Sequence, residues 1–242
     1  RNRETFNLLG IALAEGGHLD EAIDTWAKAI EIDPQYDDAR HNLTAAYFNM
    51  GNDHDRNGEP DEAIADWRKS IEFRPDFAEV YNNLAFFLYK KGQREEAIAL
   101  YRKAIEVQPD YAGVYNDLGN ALKETGQLDE AVTMYRRAVE LEPDQALHLQ
   151  NLAAALVDQG SHEEASQVCG KAIDAWRKTV QQHPDRATAF NSLAWLLANA
   201  PDARLHNPAE AVQLATKAVE LDPENGEVHN TLGVACYRAG QW

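Results

Sequence analysis

Apolar and small residues recur along this chain at helical spacing, in short blocks that themselves repeat. In the stretch from Ala112 to Gln145, Tyr115, Leu118, Gly119 and Leu122 fall at i, i+3, i+4 and i+7. They therefore share one face of a predicted first helix. Gly126 is expected to end it, because glycine enters the left-handed conformation without a Cβ clash. Asp129 then reads as the N-cap of a second helix. Ala131, Tyr135 and Ala138, at i, i+4 and i+7, mark the inner face of that helix. Pro143 stops it, since proline lacks the N–H and its ring clashes with the preceding turn. Small residues at Gly119, Ala131 and Ala138 permit two antiparallel helices to approach closely. Neither helix can bury its stripe alone, so the unit requires copies beside it.

The copies are present. The alanine of a Glu-Ala pair recurs at Ala22, Ala63, Ala97, Ala131, Ala165 and Ala211, at intervals of 41, 34, 34, 34 and 46 residues. The stopping proline recurs at Pro34, Pro75, Pro109, Pro143, Pro184 and Pro223. The interhelical glycine recurs at Gly17, Gly58, Gly92, Gly126, Gly160 and Gly240. A helix–turn–helix period of about 34 residues is the tetratricopeptide spacing. The pattern aromatic-x2-Leu-[Gly/Ala]-x2-[Leu/Tyr]…Ala-x3-aromatic-x2-Ala-x4-Pro resembles the tetratricopeptide repeat (TPR) family over essentially the whole chain. The resemblance implies an all-α fold, a right-handed αα superhelix (solenoid) of about six TPR units plus one extra helix.

The expected repeats are 3–36, 37–77, 78–111, 112–145, 146–186 and 187–225, in a single array, with 226–242 opening a seventh. Two repeats are seven residues too long. In the second, the excess is placed between the helices, around Asn52 to Pro60. In the fifth, apolar periodicity continues through Trp176 and Val180, so the second helix itself is expected to lengthen by about two turns. The stretch from Asn191 to Gly240 is similar to repeats of large bacterial multidomain proteins, some of which carry Ser/Thr-kinase or other signalling domains. The Leu-Ala-Trp, Asn-Pro-Ala-Glu-Ala and Asn-Thr-Leu-Gly segments carry that similarity.

Composition narrows the function. With 44% hydrophobic residues among 242, the chain can bury a continuous core. A formal net charge of −17 suits neither nucleic-acid phosphates nor an anionic membrane surface. No apolar run reaches the length of a membrane span. Cys169 and Cys236 occupy apolar positions in different repeats and read as buried thiols, compatible with a reducing, cytoplasmic setting. The chain is expected to be a segment of something longer.

No HExxH, P-loop, GxSxG or CxxC pattern occurs, and the eight histidines are scattered. The expectation is a non-enzymatic protein without a cofactor. One local motif points to calcium: Asp53-His54-Asp55-Arg56-Asn57-Gly58 places oxygen ligands at alternate positions before a glycine, and Asp61 falls ninth. Asp53, Asp55, Asn57 and Asp61 are its candidate ligands. Ile64 stands at the twelfth position, where such loops use a bidentate glutamate, and Pro60 stands at the eighth. The alternative is an ordinary polar insertion.

In the TPR family the first helices line a concave groove. Carried over position by position, the resemblance places Asn42 in the groove from repeat two. Glu79, Asn82, Asn83 and Phe86 follow from repeat three, then Asn116, Asp117 and Asn120 from repeat four. Asn151, Asn191 and Trp195 complete it. An asparagine directly precedes the core leucine at Asn42, Asn83 and Asn151, with Asp117 at the same place. This is similar to the asparagine ladder of O-linked N-acetylglucosamine transferases, in which side-chain amides hold an extended peptide backbone. Here Asn83 and Asn151 are expected to point away from the repeat core. Chaperone-tail-binding TPRs use Lys, Asn and Arg as a carboxylate clamp; Glu4, Asp38 and Glu79 occupy the corresponding places. The reading is a protein–protein interaction scaffold for a neutral-to-basic extended peptide or protein segment. The alternative is the substrate-presenting arm of a larger enzyme, a protein glycosyltransferase or kinase. Leu232, Val234, Ala235 and Cys236 on the last helix form an apolar face expected to mediate continuation of the array or self-association.

Overall fold

The computed structural model describes residues 2–241, and their regular structure is helical throughout. The chain forms two compact units, divided between Asp110 and Tyr111, where the sequence reads as one array. The first unit contains α1 (Asn2–Glu15), α2 (Leu19–Ile32), α3 (Asp37–Asn57), α4 (Pro60–Phe73), α5 (Ala78–Lys90) and α6 (Arg94–Val107). Helices pack as the successive pairs α1/α2, α3/α4 and α5/α6, and each pair stacks on the next. The second unit contains α7 (Ala112–Glu124), α8 (Leu128–Leu141), α9 (Ala146–Asp158), α10 (His162–Gln182), α11 (Ala187–Asn199), α12 (Pro208–Leu221) and α13 (Gly226–Ala239). It repeats the arrangement in three pairs, with α13 packed on α11 and α12.

The glycines that read as helix stops all have positive φ: Gly17, Gly58, Gly92, Gly126, Gly160 and Gly240. At Gly126, the following N–H of Gln127 donates to the carbonyl of Leu122, closing the end of α7. This tight turn feeds directly into α8, so Asp129 is not the N-cap. Gln127 holds that position without a side-chain bond, and Asp129 lies in the first turn of the helix. There its carboxylate favours the positive end of the helix dipole and accepts a 2.6 Å hydrogen bond from Gln159.

Three of the pairs, α1/α2, α3/α4 and α7/α8, are held by a close approach. A Cβ added at Gly10 would lie 2.5 Å from Trp26, one at Gly51 2.6 Å from Trp67, and one at Gly119 2.7 Å from Tyr135. In all three the aromatic ring of the second helix packs directly against the backbone of the first. Gly51 also shows where the extra residues of repeat two go. They do not form a loop. They lengthen α3 to 21 residues, and both of its halves present the packing face, through Leu43 and Thr44 and then through Gly51. The added turns are anchored to α4 by His54, whose Nδ1 lies 2.9 Å from the buried carboxylate of Asp66. The extra residues of repeat five likewise lengthen α10 to 21 residues, with Ala175 and Trp176 buried.

Between α11 and α12 the longer link folds into a 3₁₀ turn at Ala203–Leu205. His206 is bonded through Nε2 to the carbonyl of Ala200, and the N–H of Asn207 donates to Leu197. In α13, Val228, Thr231 and Ala235 are buried, Leu232, Val234 and Cys236 are half-buried, and Tyr237 is 62% exposed.

The close approach has a direct consequence for Gly119. Alanine is the better helix former by about 1 kcal/mol. The added methyl meets a ring that is 1% exposed and tied by its hydroxyl to Asn120, so it cannot swing away. Gly119→Ala is expected to lower stability by about 1–3 kcal/mol through overpacking. Urea unfolding measures it, and an unchanged or raised midpoint would remove the account.

Candidate functional site

In each unit the first helices carry a row of side-chain amides. In the first unit, Asn42 Nδ2 donates to Asn7 Oδ1 at 2.8 Å, and Asn83 Nδ2 donates to Asn52 Oδ1 at 3.1 Å. In the second unit, Asn151 Nδ2 donates to Asn116 Oδ1 at 2.8 Å and lies 3.5 Å from Asn120 Oδ1. These bonds join consecutive repeats. The expectation that Asn83 and Asn151 project away from the packing is therefore corrected: each staples its repeat to the one before.

The acceptors have a second duty that sequence reasoning missed. Asn52 Oδ1 also accepts from Trp67 Nε1 at 3.1 Å, and Asn120 Oδ1 accepts from the Tyr135 hydroxyl at 2.7 Å. Gln150 Oε1 accepts from Trp176 Nε1 at 2.7 Å. The polar tips of Trp67, Tyr135 and Trp176 are thus satisfied by amides on the first helices, and that of Trp26 by the backbone carbonyl of Asn7 at 3.2 Å. The signal was legible: Gly51-Asn52 and Gly119-Asn120 each precede an aromatic residue at the same distance. An amide oxygen has two lone pairs, so those of Asn52 and Asn120 are fully used. Asn151 keeps its Oδ1 as an acceptor, and Asn83 keeps an acceptor and a second N–H.

Other expected site residues fall around this row. In the first unit, Glu79 is exposed, Asn82 is half-buried, and Phe86 is 42% exposed with the Lys90 ammonium 4.4 Å from its ring centroid. In the second unit, Trp195 is 39% exposed on α11. The side-chain oxygens of Asn82 and Asn191 are buried without a hydrogen-bond partner. Asp117 accepts only a 3.3 Å bond from Asn116. Burial pushes its carboxyl up to about 6, while the Asn116 bond lowers it. On the second helices, Arg68 pairs with Glu96 and Arg136 with Glu164, at 2.8 and 2.7 Å. These are exposed pairs between neighbouring repeats and add little stability.

The calcium loop does not form. Asp53, Asp55 and Asn57 belong to α3, where residues two apart point to nearly opposite sides. Asp53 pairs with Arg56 at 2.7 Å, and Asp61 pairs with Lys91 at 2.6 Å. Among the described residues, no group of three or more His, Cys, Asp or Glu side chains is placed to hold a metal ion. Nor is any helix there long and apolar enough to cross a membrane. Cys169 is buried, and desolvation raises its thiol to about 11, so it serves as an inert packing group.

A tetratricopeptide-repeat family model matches residues 76–142 and 144–224, more than half of the chain. The chain belongs to the tetratricopeptide repeat family. A second TPR-repeat model matches residues 10–51 and 56–92. No curated protein matches the TPR chain. Solved TPR structures similar to it include PilF of Pseudomonas aeruginosa, at 20% identity and TM-score 0.58, over 96% of this chain and 97% of that one. MamA is 23% identical with TM-score 0.54, over 71% of this chain and 96% of its own. YrrB, described as a TPR protein with an unusual peptide-binding site, is 21% identical with TM-score 0.52, over 85% and 96%. At these identities the likeness is one of fold: stacked TPR helix pairs.

The raised carboxyl of Asp117 makes TPR stability depend on pH. Its folded-state value of about 6 exceeds the ordinary 3.8, so its contribution is full below 3.8 and is lost as pH rises through 6. Asn at this position carries no such dependence. Relative to Asp117→Asn, the parent chain is expected to lose about 1–3 kcal/mol of stability between pH 4 and pH 7. Paired denaturant titrations at the two pH values check this; a constant difference would show that the carboxyl titrates normally.

Proposed function

We propose that this TPR array is a non-enzymatic scaffold that binds an extended peptide or protein segment along the faces of its first helices. TPR proteins generally mediate protein–protein interaction, and a peptide-binding site is described for the similar YrrB. The observation that carries the reading is the amide row. Its internal bonds fix each side chain in one orientation, and in the second unit they leave Asn151 Oδ1 as an acceptor beside the first-helix face. An amide held this way recognises backbone N–H groups without reading side chains. Preorganisation removes the ordering cost that a flexible side chain would add. In the second unit Trp195 supplies an apolar anchor, and the acids Asp117 and Glu124 favour a neutral-to-basic ligand; in the first unit Glu79 does the same. A second reading keeps the same face and makes the chain the substrate-holding arm of a larger glycosyltransferase or kinase.

Capture of partners on the intact chain, followed by affinity measurement on the captured segment, tests the proposal. Asn151→Ala is expected to weaken binding by about 2- to 12-fold, corresponding to the 0.5–1.5 kcal/mol of a typical hydrogen bond. Trp195→Ala is expected to weaken it by about tenfold or more as loss of an aromatic anchor. Arg136→Ala, on the second-helix face, should leave affinity unchanged. A partner that responds only to Arg136→Ala would move the site to the opposite face. Because Asn151 also staples two repeats, helicity and melting of each variant are measured alongside.

A further inference from the structure

Asp117 occupies the same place before its core leucine as Asn42, Asn83 and Asn151. Those three donate a side-chain N–H to an amide of the preceding repeat. A carboxylate has no N–H to give, so Asp117 interrupts the row. Among the described residues its one hydrogen bond is the long one from Asn116, and it forms no salt bridge. Lys123, six residues along α7, is committed to Asp158 at 2.7 Å. A half-buried carboxylate without a cation is a destabilising choice at a position where three other repeats carry asparagine. Such perturbed, unpartnered groups mark functional positions. A neutral donor satisfies a lone pair, but only a cation offsets the burial of the charge.

We propose that Asp117 receives the lysine or arginine side chain of the segment bound along the first-helix face of the second unit. The inference rests on the groove reading and adds the chemistry of one ligand position. The carboxylate selects a basic residue at a fixed distance from the backbone held at Asn151. The ionised carboxylate is the binding form, so affinity falls as the carboxyl becomes protonated.

The test uses the full chain and a displayed library of random twelve-residue peptides, selected in parallel on the parent and on Asp117→Asn. Peptides from the parent are expected to carry lysine or arginine at one aligned position, and those from the variant are not. Replacing that residue by methionine should weaken a synthetic peptide by about tenfold on the parent and less than about twofold on Asp117→Asn, as a double-mutant cycle. If only the ionised form binds, affinity for the parent should also fall about tenfold from pH 7.5 to pH 5, and that for the variant should stay flat. Selected peptides without an aligned basic residue, or an equal methionine effect on both proteins, overturn the assignment of Asp117. Peptides unaffected by Asn151→Ala and Trp195→Ala overturn the groove reading instead. Failure to enrich any peptide above an unrelated helical protein overturns both.

Discussion

Three of the helix pairs depend on a ring meeting a backbone. Trp26, Trp67 and Tyr135 lie on Gly10, Gly51 and Gly119, with no room for a methyl group between them. The contact fixes the distance between the helices and also their rotational phase. A change in length is therefore tolerated only when it returns the same face to the contact. Seven residues is about two turns, and both long helices, α3 and α10, follow this rule at 21 residues against 13 or 14 for their neighbours. In α3 the rule operates in both directions. Its first half presents Asn42 to the repeat before, and its second half presents Asn52 to the repeat after.

The same phase argument explains what was legible in the sequence. Helix stops were legible because glycine and proline act through their own backbones, and the six glycines at positive φ are those the repeat spacing singles out. The extension of α10 was legible because Trp176 and Val180 continue its apolar period. That of α3 was not, because Asn52 to Gly58 is polar and resembles a cation-binding turn. Local composition favours a loop there, yet packing at Gly51 and the His54–Asp66 contact hold the segment as helix. Helix propensity is a weak preference that such tertiary contacts override. Asp129 is a smaller case of the same kind: the tight turn at Gly126 leaves one residue, Gln127, before the helix, so the cap falls there and Asp129 lies in the first turn.

Of the candidate site, the positions were legible and the partners were not. Spacing alone places Asn42, Asn83 and Asn151 on one row, but the acceptors lie in a different repeat. Hydrogen bonds between repeats also change what the row can do. Amides free to rotate would present donors and acceptors to a ligand in any order. Here Asn120 is locked by Tyr135, and Asn151 by the amides of the preceding repeat. The core aromatics thereby set the polarity that the first-helix face presents. If the row binds a segment as proposed, packing and recognition share the same atoms, and a substitution in it affects both.

This sharing bears on how an acidic chain discriminates between partners. A net charge of −17 attracts any basic molecule. Between exposed charges that attraction is screened within about 8–10 Å at ordinary ionic strength, so it raises encounter rates more than it separates one partner from another. Most of the acids on these helices are exposed, and several are paired with lysine or arginine on the surface. Asp117 differs because burial weakens screening and raises the free energy of its unpaired charge. A cation that reaches it gains more than one meeting a surface acid, and a neutral side chain in its place leaves the charge uncompensated. On the proposed reading, discrimination at the first-helix face belongs to the half-buried Asp117, and the surrounding surface charge governs the approach.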